Sequence, residues 1–150
     1  MDIKLGSGFP SGALSNLAPH KFTIDGVECG SMEGFLQSLK FSNPDMQREV
    51  CKLTGKYAKS KGANKNWQTK QTLYWQGKEY KRDSKEYQEL LDRAYNELAK
   101  NEKFKKALIA SKGATLTHSI GKRKIEETVI TSQEFISRLN RLRAQVLREK

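Results

Sequence analysis

The sequence has few cysteines, two in 150 residues, and no long hydrophobic run. Cys29 and Cys51 have no C-x-x-C spacing and no histidine close by, which argues against a zinc motif and a disulfide framework. We therefore predict reduced thiols in a cytoplasmic protein that uses no metal and no cofactor. No segment approaches the ~20 apolar residues of a membrane span, and the N-terminus lacks the pattern of a signal peptide. We expect neither secretion nor a membrane partner.

Hydrophobic residues are also scarce, at 36% with a mean hydropathy of −0.76. They recur at helical spacing, so we predict a folded protein with a modest core and a charged surface rather than a disordered chain. No internal repeat, low-complexity tract or linker divides the sequence. Its length fits one domain that spans residues 1–150.

Positive charge is in excess, with 28 Lys and Arg against 17 Asp and Glu and a formal net charge of +11. Such a charge favours phosphate-bearing partners such as nucleotides or nucleic acid. It identifies no ligand by itself, because the cations are spread along the predicted helices rather than collected in one run.

The stretch 31–41 carries the clearest combination of structure and chemistry. Four apolar residues at helical spacing predict an amphipathic helix that Ser31 caps: Met32, Phe35, Leu36 and Leu39. Glu33, Gln37 and Lys40 fall on another face, where an acid, an amide and an amine can act together. The alternative is that this polar face is simply solvated.

Further helices are predicted from caps and periodicity. They run from Asn43 to about Leu53, from Lys56 to Ser60, from Ser84 to Lys100, from Asn101 to about Gly113, and from the capping-box spacing at Thr131–Glu134 onward. On the last helix, four arginines are expected to form a solvated face, and the alternative is that they contact nucleic acid: Arg138, Arg141, Arg143 and Arg148.

Strands are predicted at three places. Asp25-Gly26 favours a hairpin between residues 21–24 and 27–29, and alternation predicts strands at Leu116–Ile120 and at Glu127–Ile130. The segment 63–82 is expected to be irregular. The resulting fold class is α+β, a mainly helical single domain with a small sheet formed by the hairpin and Leu116–Ile120.

Aromatic residues alternate with cations between residues 67 and 82, at Trp67, Tyr74, Trp75 and Tyr80. This mixture suits base stacking with phosphate contact. The alternative is an ordinary core edge with snorkelling lysine stems. His118 has two interpretations as well: a hydrogen-bonded core residue, or a group that transfers protons.

The order of motifs resembles a known family. A Gly-Ala-Leu-Ser-Asn-Leu segment at 12–17 precedes the Asp25-Gly26 hairpin and the helix with Glu33, Gln37 and Lys40, and Ala58-Lys-Ser-Lys-Gly62 and Asn66-Trp67 follow. This order resembles the NADAR superfamily, the YbiA-like N-glycosidases. The spacing matches closely from Gly12 to Phe41 and more loosely to Trp67.

The resemblance implies an N-glycosyl hydrolase. Its substrate would be ADP-ribose on a guanine base of DNA or RNA, or a ribosylamine phosphate of the riboflavin pathway. The implied catalytic residues are Glu33 and Lys40. The implied substrate-binding residues are Ser15, Asn16, Gln37 and Trp67, and His118 is a candidate to replace an acid that the family carries in its C-terminal half.

Two mechanisms fit Glu33 and Lys40. A lysine with a lowered pKa can form a Schiff base with the ring-opened sugar while the carboxyl group moves protons. Alternatively, Glu33 activates a water for attack at the sugar carbon and Lys40 only binds phosphate or hydroxyl groups. The sequence leaves both open.

Two departures from the family pattern favour a different function. Gly34 stands where family members commonly have histidine, and the later Trp-Gly stretch that completes the family's pocket is absent around Ser119–Arg123. A non-catalytic ADP-ribose or nucleic-acid binding module is therefore the alternative to an enzyme. A third hypothesis is a plain DNA-binding protein of helical type, which would need a strongly clustered basic face.

Overall fold

Helices form most of the regular structure. The computed structural model describes residues 1–149, which form seven α-helices, two two-stranded antiparallel sheets and one 3₁₀ turn at Ile125–Glu127. The helices are α1 (Ser11–Leu14), α2 (Met32–Ser38), α3 (Pro44–Cys51), α4 (Gly55–Lys61), α5 (Lys85–Leu98), α6 (Glu102–Ala110) and α7 (Ser132–Arg148). The strands are β1 (Phe22–Ile24), β2 (Val27–Cys29), β3 (Thr72–Trp75) and β4 (Lys78–Lys81). The α+β, mainly helical fold class predicted from the sequence is confirmed.

Five of the predicted helix starts are confirmed by side-chain caps. The hydroxyl of Ser31 accepts a hydrogen bond from the backbone N–H of Gly34 at 3.0 Å, and Asn43, Ser84 and Asn101 cap α3, α5 and α6 in the same manner. Thr131 and Glu134 close a reciprocal capping box on α7. Local chemistry therefore determines where these helices begin.

The first hairpin forms as predicted, with Phe22 paired to Cys29 and Ile24 to Val27. Asp25 and Gly26 both have positive φ angles, 50° and 77°, as a type I′ turn requires. Because alternate residues of β1 and β2 are buried, one face of this hairpin joins the core.

A second hairpin, β3–β4, lies where an irregular segment was predicted, so that prediction was wrong. Leu73 pairs with Tyr80 and Trp75 with Lys78 across a turn at Gln76-Gly77, where both φ angles are positive. Trp75 packs edge-to-face against Phe35 at 5.0 Å between ring centroids. Burial of these aromatic rings stabilises the hairpin.

The strands predicted at Leu116–Ile120 and Glu127–Ile130 do not form. Thr117 makes one isolated bridge with Asp2, and residues 125–127 form the 3₁₀ turn. No strand of the described chain runs beside either segment, so neither segment has a neighbouring strand with which to form the backbone hydrogen bonds of a sheet. The expected sheet that joins the first hairpin to Leu116–Ile120 is therefore wrong.

One hydrophobic core connects all these elements, and α2 lies at its centre, with Phe35 and Leu39 fully buried. Helix α3 approaches α2 at Gly34, where a Cβ would lie 2.7 Å from the carbonyl oxygens of Cys51 and Leu53. Glycine is therefore required at position 34 for this close packing. The two cysteines are buried and free.

The predicted solvated arginine face was wrong for two of its members. Arg138 is 7% exposed, and its guanidinium group donates to the side chain of Gln88 at 2.9 Å and pairs with Asp92. Arg143 donates to the carbonyl oxygens of Ser111 and Ala114 at 2.7 and 2.9 Å. These arginines satisfy polar groups between helices instead of contacting water alone.

None of the helices within residues 1–149 combines the length and the apolar character that a bilayer span needs.

Candidate functional site

A cavity of about 360 Å³ opens between α2, α4 and the segment that precedes α7. Its volume falls in the range of small-molecule sites, roughly 300–1,000 Å³. All seven residues that the sequence analysis proposed for the site line this one cavity: Ser15, Asn16, Glu33, Gln37, Lys40, Trp67 and His118. The structure therefore brings together residues that are up to 103 positions apart in the chain.

Helix α2 contributes the acid and the amide, and the amine of Lys40 comes from the turn that follows the end of α2 at Ser38. Its apolar face is anchored in the core, so the opposite face is directed toward the cavity. The side-chain amide of Gln37 donates a 2.6 Å hydrogen bond to Oε2 of Glu33, one helical turn earlier. This bond fixes the carboxylate and leaves Oε1 of Glu33 for a ligand.

Gln37 itself is buried, and its amide oxygen has no hydrogen-bond partner among residues 1–149. Buried polar atoms are nearly always paired, so an unpaired acceptor at the wall of a cavity is typical of a site that a ligand or water completes. A Cβ at position 62 would collide with this oxygen. Gly62 therefore lets the chain after α4 close over Gln37.

The amine of Lys40 lies in a partly desolvated position. Its Nζ donates to the backbone oxygen of Gly62 at 3.3 Å. Burial lowers the pKa of Lys40 from its ordinary 10.5; the charge of Glu33 opposes this change, and the charge of Lys122 adds to it. Lys40 is thereby closer to a nucleophilic neutral amine than an exposed lysine is.

Asn16 is held between α2 and α5. Its backbone oxygen accepts from the N–H of Glu33 at 2.8 Å, and its side-chain Oδ1 accepts from the hydroxyl of Tyr95 at 2.6 Å. With Oδ1 engaged, the Nδ2 group is the donor of this side chain that has no partner within residues 1–149. Ser15 instead accepts from the N–H of Leu17 at 3.1 Å, so its hydroxyl shapes the turn that positions Asn16.

Of the four aromatic residues expected to stack on bases, only Trp67 lines the cavity. Its side chain is 4% exposed and forms part of the cavity wall. Trp75 is buried in the core, and its indole N–H donates to Asp25 at 2.8 Å. Tyr80 is buried as well. A base-stacking surface made of all four rings is therefore absent from the described part of the chain.

His118 combines a structural bond with a free ring nitrogen. Its Nδ1 lies 2.8 Å from the backbone oxygen of Ile3, and the ring packs edge-to-face on Phe135. Because a carbonyl oxygen only accepts, Nδ1 carries the proton, and Nε2 of the neutral ring is an acceptor. The hydrogen-bonded interpretation of His118 is therefore confirmed, and its role in proton transfer stays a prediction.

Sequence analysis missed the wall formed by Thr128–Ile130, which was predicted as a strand. The guanidinium group of Arg82 donates to the oxygen of Thr128 at 2.8 Å, and the hydroxyl of Tyr87 donates to the oxygen of Val129 at 2.6 Å. Arg82 is 1% exposed and paired with Glu134 at 2.6 Å. No local sequence signal connects these side chains to a wall more than 40 residues away.

Two lysines at the cavity were also missed, Lys59 on α4 and Lys122 before α7. Together with Lys40, they give three ammonium groups against the carboxylates of Glu33 and Glu127. This balance suits an anionic ligand. Within residues 1–149, no group of three His, Cys, Asp or Glu side chains is arranged to hold a metal ion.

The fold is similar to that of a solved structure, the NMR structure of the E. coli protein YbiA. The TM-score is 0.62 at 15% sequence identity, with 97% of this chain and 83% of that chain covered. The mainly helical, YbiA-like fold that the family resemblance implied is thus supported. At this identity the likeness concerns the fold alone.

Two comparisons of sequence identify the relatives. The chain is 42% identical over 147 residues, 95% of this chain and 96% of the relative, to a protein of Enterobacteria phage T4 described as an uncharacterized 17.1 kDa protein in the Gp30-rIII intergenic region. The family model of bacteriophage protein GP30.3 matches residues 8–144, which include every site residue named above. The chain therefore belongs to the bacteriophage protein GP30.3 family.

Proposed function

We propose that this protein is an N-glycosidase that removes ADP-ribose from guanine in nucleic acid. The observation that carries the proposal is the convergence of Glu33, Gln37 and Lys40 with Asn16, Trp67 and His118 around one cavity. The resemblance to the NADAR superfamily and the YbiA-like fold support this assignment.

The cavity provides for each part of such a substrate. Its volume is near the lower end of the range for ligand sites, so a sugar and part of a base fit inside while phosphates extend to the opening. Lys59 and Lys122 can pair with those phosphates. Trp67 offers an apolar wall, and Asn16 Nδ2 offers a donor for sugar hydroxyls.

The reaction begins with opening of the ribose ring, which converts the C1–N bond to guanine into an imine. Neutral Lys40 adds to C1, and the resulting aminal expels the guanine amine, so that one C=N bond is exchanged for another. Glu33 transfers the proton from the Lys40 nitrogen to the departing guanine nitrogen. Water then hydrolyses the lysine imine, which releases ADP-ribose and restores the amine.

Mass spectrometry of an oligonucleotide that carries ADP-ribosylated guanine tests the proposal. The wild type is expected to remove the ADP-ribose mass, whereas Glu33→Gln and Lys40→Ala lose at least 10²-fold of the rate, as general acid–base catalysis and covalent catalysis predict. Glu49 and Lys52, an exposed acid and amine on and just after α3, provide matched controls. Glu49→Gln and Lys52→Ala are expected to stay within about twofold of the wild type, since surface changes are usually neutral.

Other outcomes are equally informative. A wild type that binds ADP-ribose but leaves the substrate intact would replace the enzyme with a binding module. Cyanoborohydride in the reaction should join the sugar to Lys40 as a stable secondary amine. Full turnover with no such adduct would assign the water-activating role to Glu33 instead.

A further inference from the structure

The segment Ser119–Lys124, which we call the rim loop, is fixed at both ends beside the cavity. At its start, the carboxylate of Asp2 accepts from the backbone N–H and the hydroxyl of Ser119 at 2.8 and 2.6 Å. Toward its far end, the N–H of Ser132 donates to the oxygen of Lys122 at 2.9 Å. The hydroxyl of Ser132 donates to the oxygen of His118, the residue before the loop, at 2.9 Å. These bonds hold the loop in one position relative to the cavity.

The hydrogen bonds to Asp2 persist across the working pH range of most proteins. The hydroxyl and N–H of Ser119 lower the pKa of Asp2 to about 2. The carboxylate therefore remains ionised near neutral pH.

Ile120, at the tip of this fixed loop, is 62% exposed and lines the cavity opening. Several large hydrophobic residues of the described chain are exposed, but Ile120 alone among them belongs to the cavity lining. A well-anchored loop that presents a β-branched apolar side chain to water gains little folding free energy from it. The position suits a contact that forms only when a partner arrives.

Three cations follow Ile120 after one glycine: Lys122, Arg123 and Lys124. All three are exposed, and none lies within ion-pair distance of a carboxylate in residues 1–149. Their charges are therefore free for phosphates. An apolar wedge next to phosphate-binding cations is the arrangement by which proteins unstack a base and hold the flanking backbone.

We propose that the rim loop docks the nucleic-acid strand, with Ile120 against the face of the base beside the modified guanine and with Arg123 and Lys124 on the flanking phosphates. This inference rests on the proposed function and extends it. The rim loop would contact neighbouring nucleotides of the strand, which a ribosylated mononucleotide does not have. The modified base then enters the cavity out of the stack.

The first experiment measures binding of an unmodified single-stranded DNA 12-mer, which needs no glycosidase activity. The double variant Arg123→Ala/Lys124→Ala is expected to weaken binding at low salt and to reduce the slope of log K against log salt by about 0.7 for each cation that contacts a phosphate. The matched control is Lys103→Ala/Lys106→Ala, two exposed cations of α6, which contributes no residue to the cavity lining. Equal slopes for the two double variants would overturn the proposal.

The second experiment compares cleavage of the modified 12-mer with cleavage of the modified mononucleotide. Ile120→Ser is expected to reduce the ratio of the two kcat/KM values at least tenfold, and Tyr57→Ser, at another exposed hydrophobic residue, should leave the ratio unchanged. An unchanged ratio in Ile120→Ser would refute the wedge. If the wild type cleaves neither substrate, the proposed function fails, and the binding experiment alone decides the docking role.

Discussion

The hydroxyl of Tyr95 donates a 2.6 Å hydrogen bond to Oδ1 of Asn16, 79 residues earlier in the chain. Tyr95 is fully buried, and burial raises its pKa well above 10, so the hydroxyl remains a donor at all pH values of interest. A core residue of α5 thereby sets which end of the Asn16 amide faces the cavity.

Tyr95→Phe should therefore lower stability and weaken ligand binding together. Loss of a hydrogen bond of this kind costs about 0.5–1.5 kcal/mol in the free energy of unfolding, which urea denaturation measures. ADP-ribose affinity, measured by calorimetry, should also fall because the Asn16 amide is free to rotate. Tyr57→Phe removes a hydroxyl from a side chain that is 78% exposed and should change neither quantity.

Local signals made much of this fold predictable. The starts of α2, α3, α5, α6 and α7 follow from cap residues, and the turn of the first hairpin follows from Asp25-Gly26. The same local helix spacing placed Glu33, Gln37 and Lys40 on one face, and the family resemblance added the more distant residues of the cavity.

The missed features depend on contacts between distant segments. Gln76-Gly77 is a weak turn signal, and the β3–β4 hairpin gains its stability from the packing of Trp75 on Phe35. Leu116–Ile120 has the alternation of a strand, but its polar groups bind Asp2 and Ile3 instead of a ladder. The charge of Arg143 by itself predicted a solvated side chain. In the structure its guanidinium group donates to carbonyl oxygens just after the end of α6.

Gly34→Ala should destabilise the protein although alanine is the better helix former by about 1 kcal/mol. The added Cβ would meet the carbonyl oxygens of Cys51 and Leu53 at 2.7 Å, an overpacking that typically costs about 1–3 kcal/mol. A lower urea midpoint would show this. Histidine, which NADAR sequences carry at this position, should be worse still because α3 would have to move away.

The matched control is Gly6→Ala, since no atom lies within 4 Å of a Cβ built there. We expect its midpoint to stay within about 0.5 kcal/mol of the wild type. Equal effects at positions 34 and 6 would contradict the close approach of α2 and α3.

Stability at acid pH should depend on Glu134. Burial by itself would raise the pKa of this carboxyl, but the hydrogen bonds from Arg82, Thr131 and Gln88 outweigh it and bring the pKa below the ordinary 4.5. The folded protein therefore holds the ionised form more strongly than the unfolded chain does. The resulting stabilisation is complete above pH 4.5 and is lost as the pH falls through the lower, folded-state pKa.

Glu134→Gln tests this dependence. At pH 7 it should cost about 3–5 kcal/mol, because it leaves the buried Arg82 without its ion-pair partner. Urea midpoints taken between pH 7 and pH 3 should fall less steeply for the variant than for the wild type. Glu89→Gln, which breaks an exposed pair with Lys85, should keep the wild-type profile at a cost below about 1 kcal/mol.

The pH dependence of cleavage should report Lys40. In the Schiff-base route the neutral amine is the active form, so kcat/KM rises with pH until Lys40 has lost its proton. The nearby charge of Lys122 lowers the pKa of Lys40, in addition to the larger effect of burial. Lys122→Met should therefore raise the pKa of Lys40 and move the ascending limb of the pH–rate profile to higher pH. The plateau of kcat/KM is then also reached at a higher pH.

Arg123→Met provides the comparison, because it removes a neighbouring cation of the same loop that does not line the cavity. A pH–rate series with the modified mononucleotide isolates the effect from strand docking. If both variants shift the limb equally, general loss of positive charge is responsible. If neither variant shifts it and Lys40→Ala still cleaves, the rising limb belongs to another group, and Glu33 with a bound water becomes the catalytic pair.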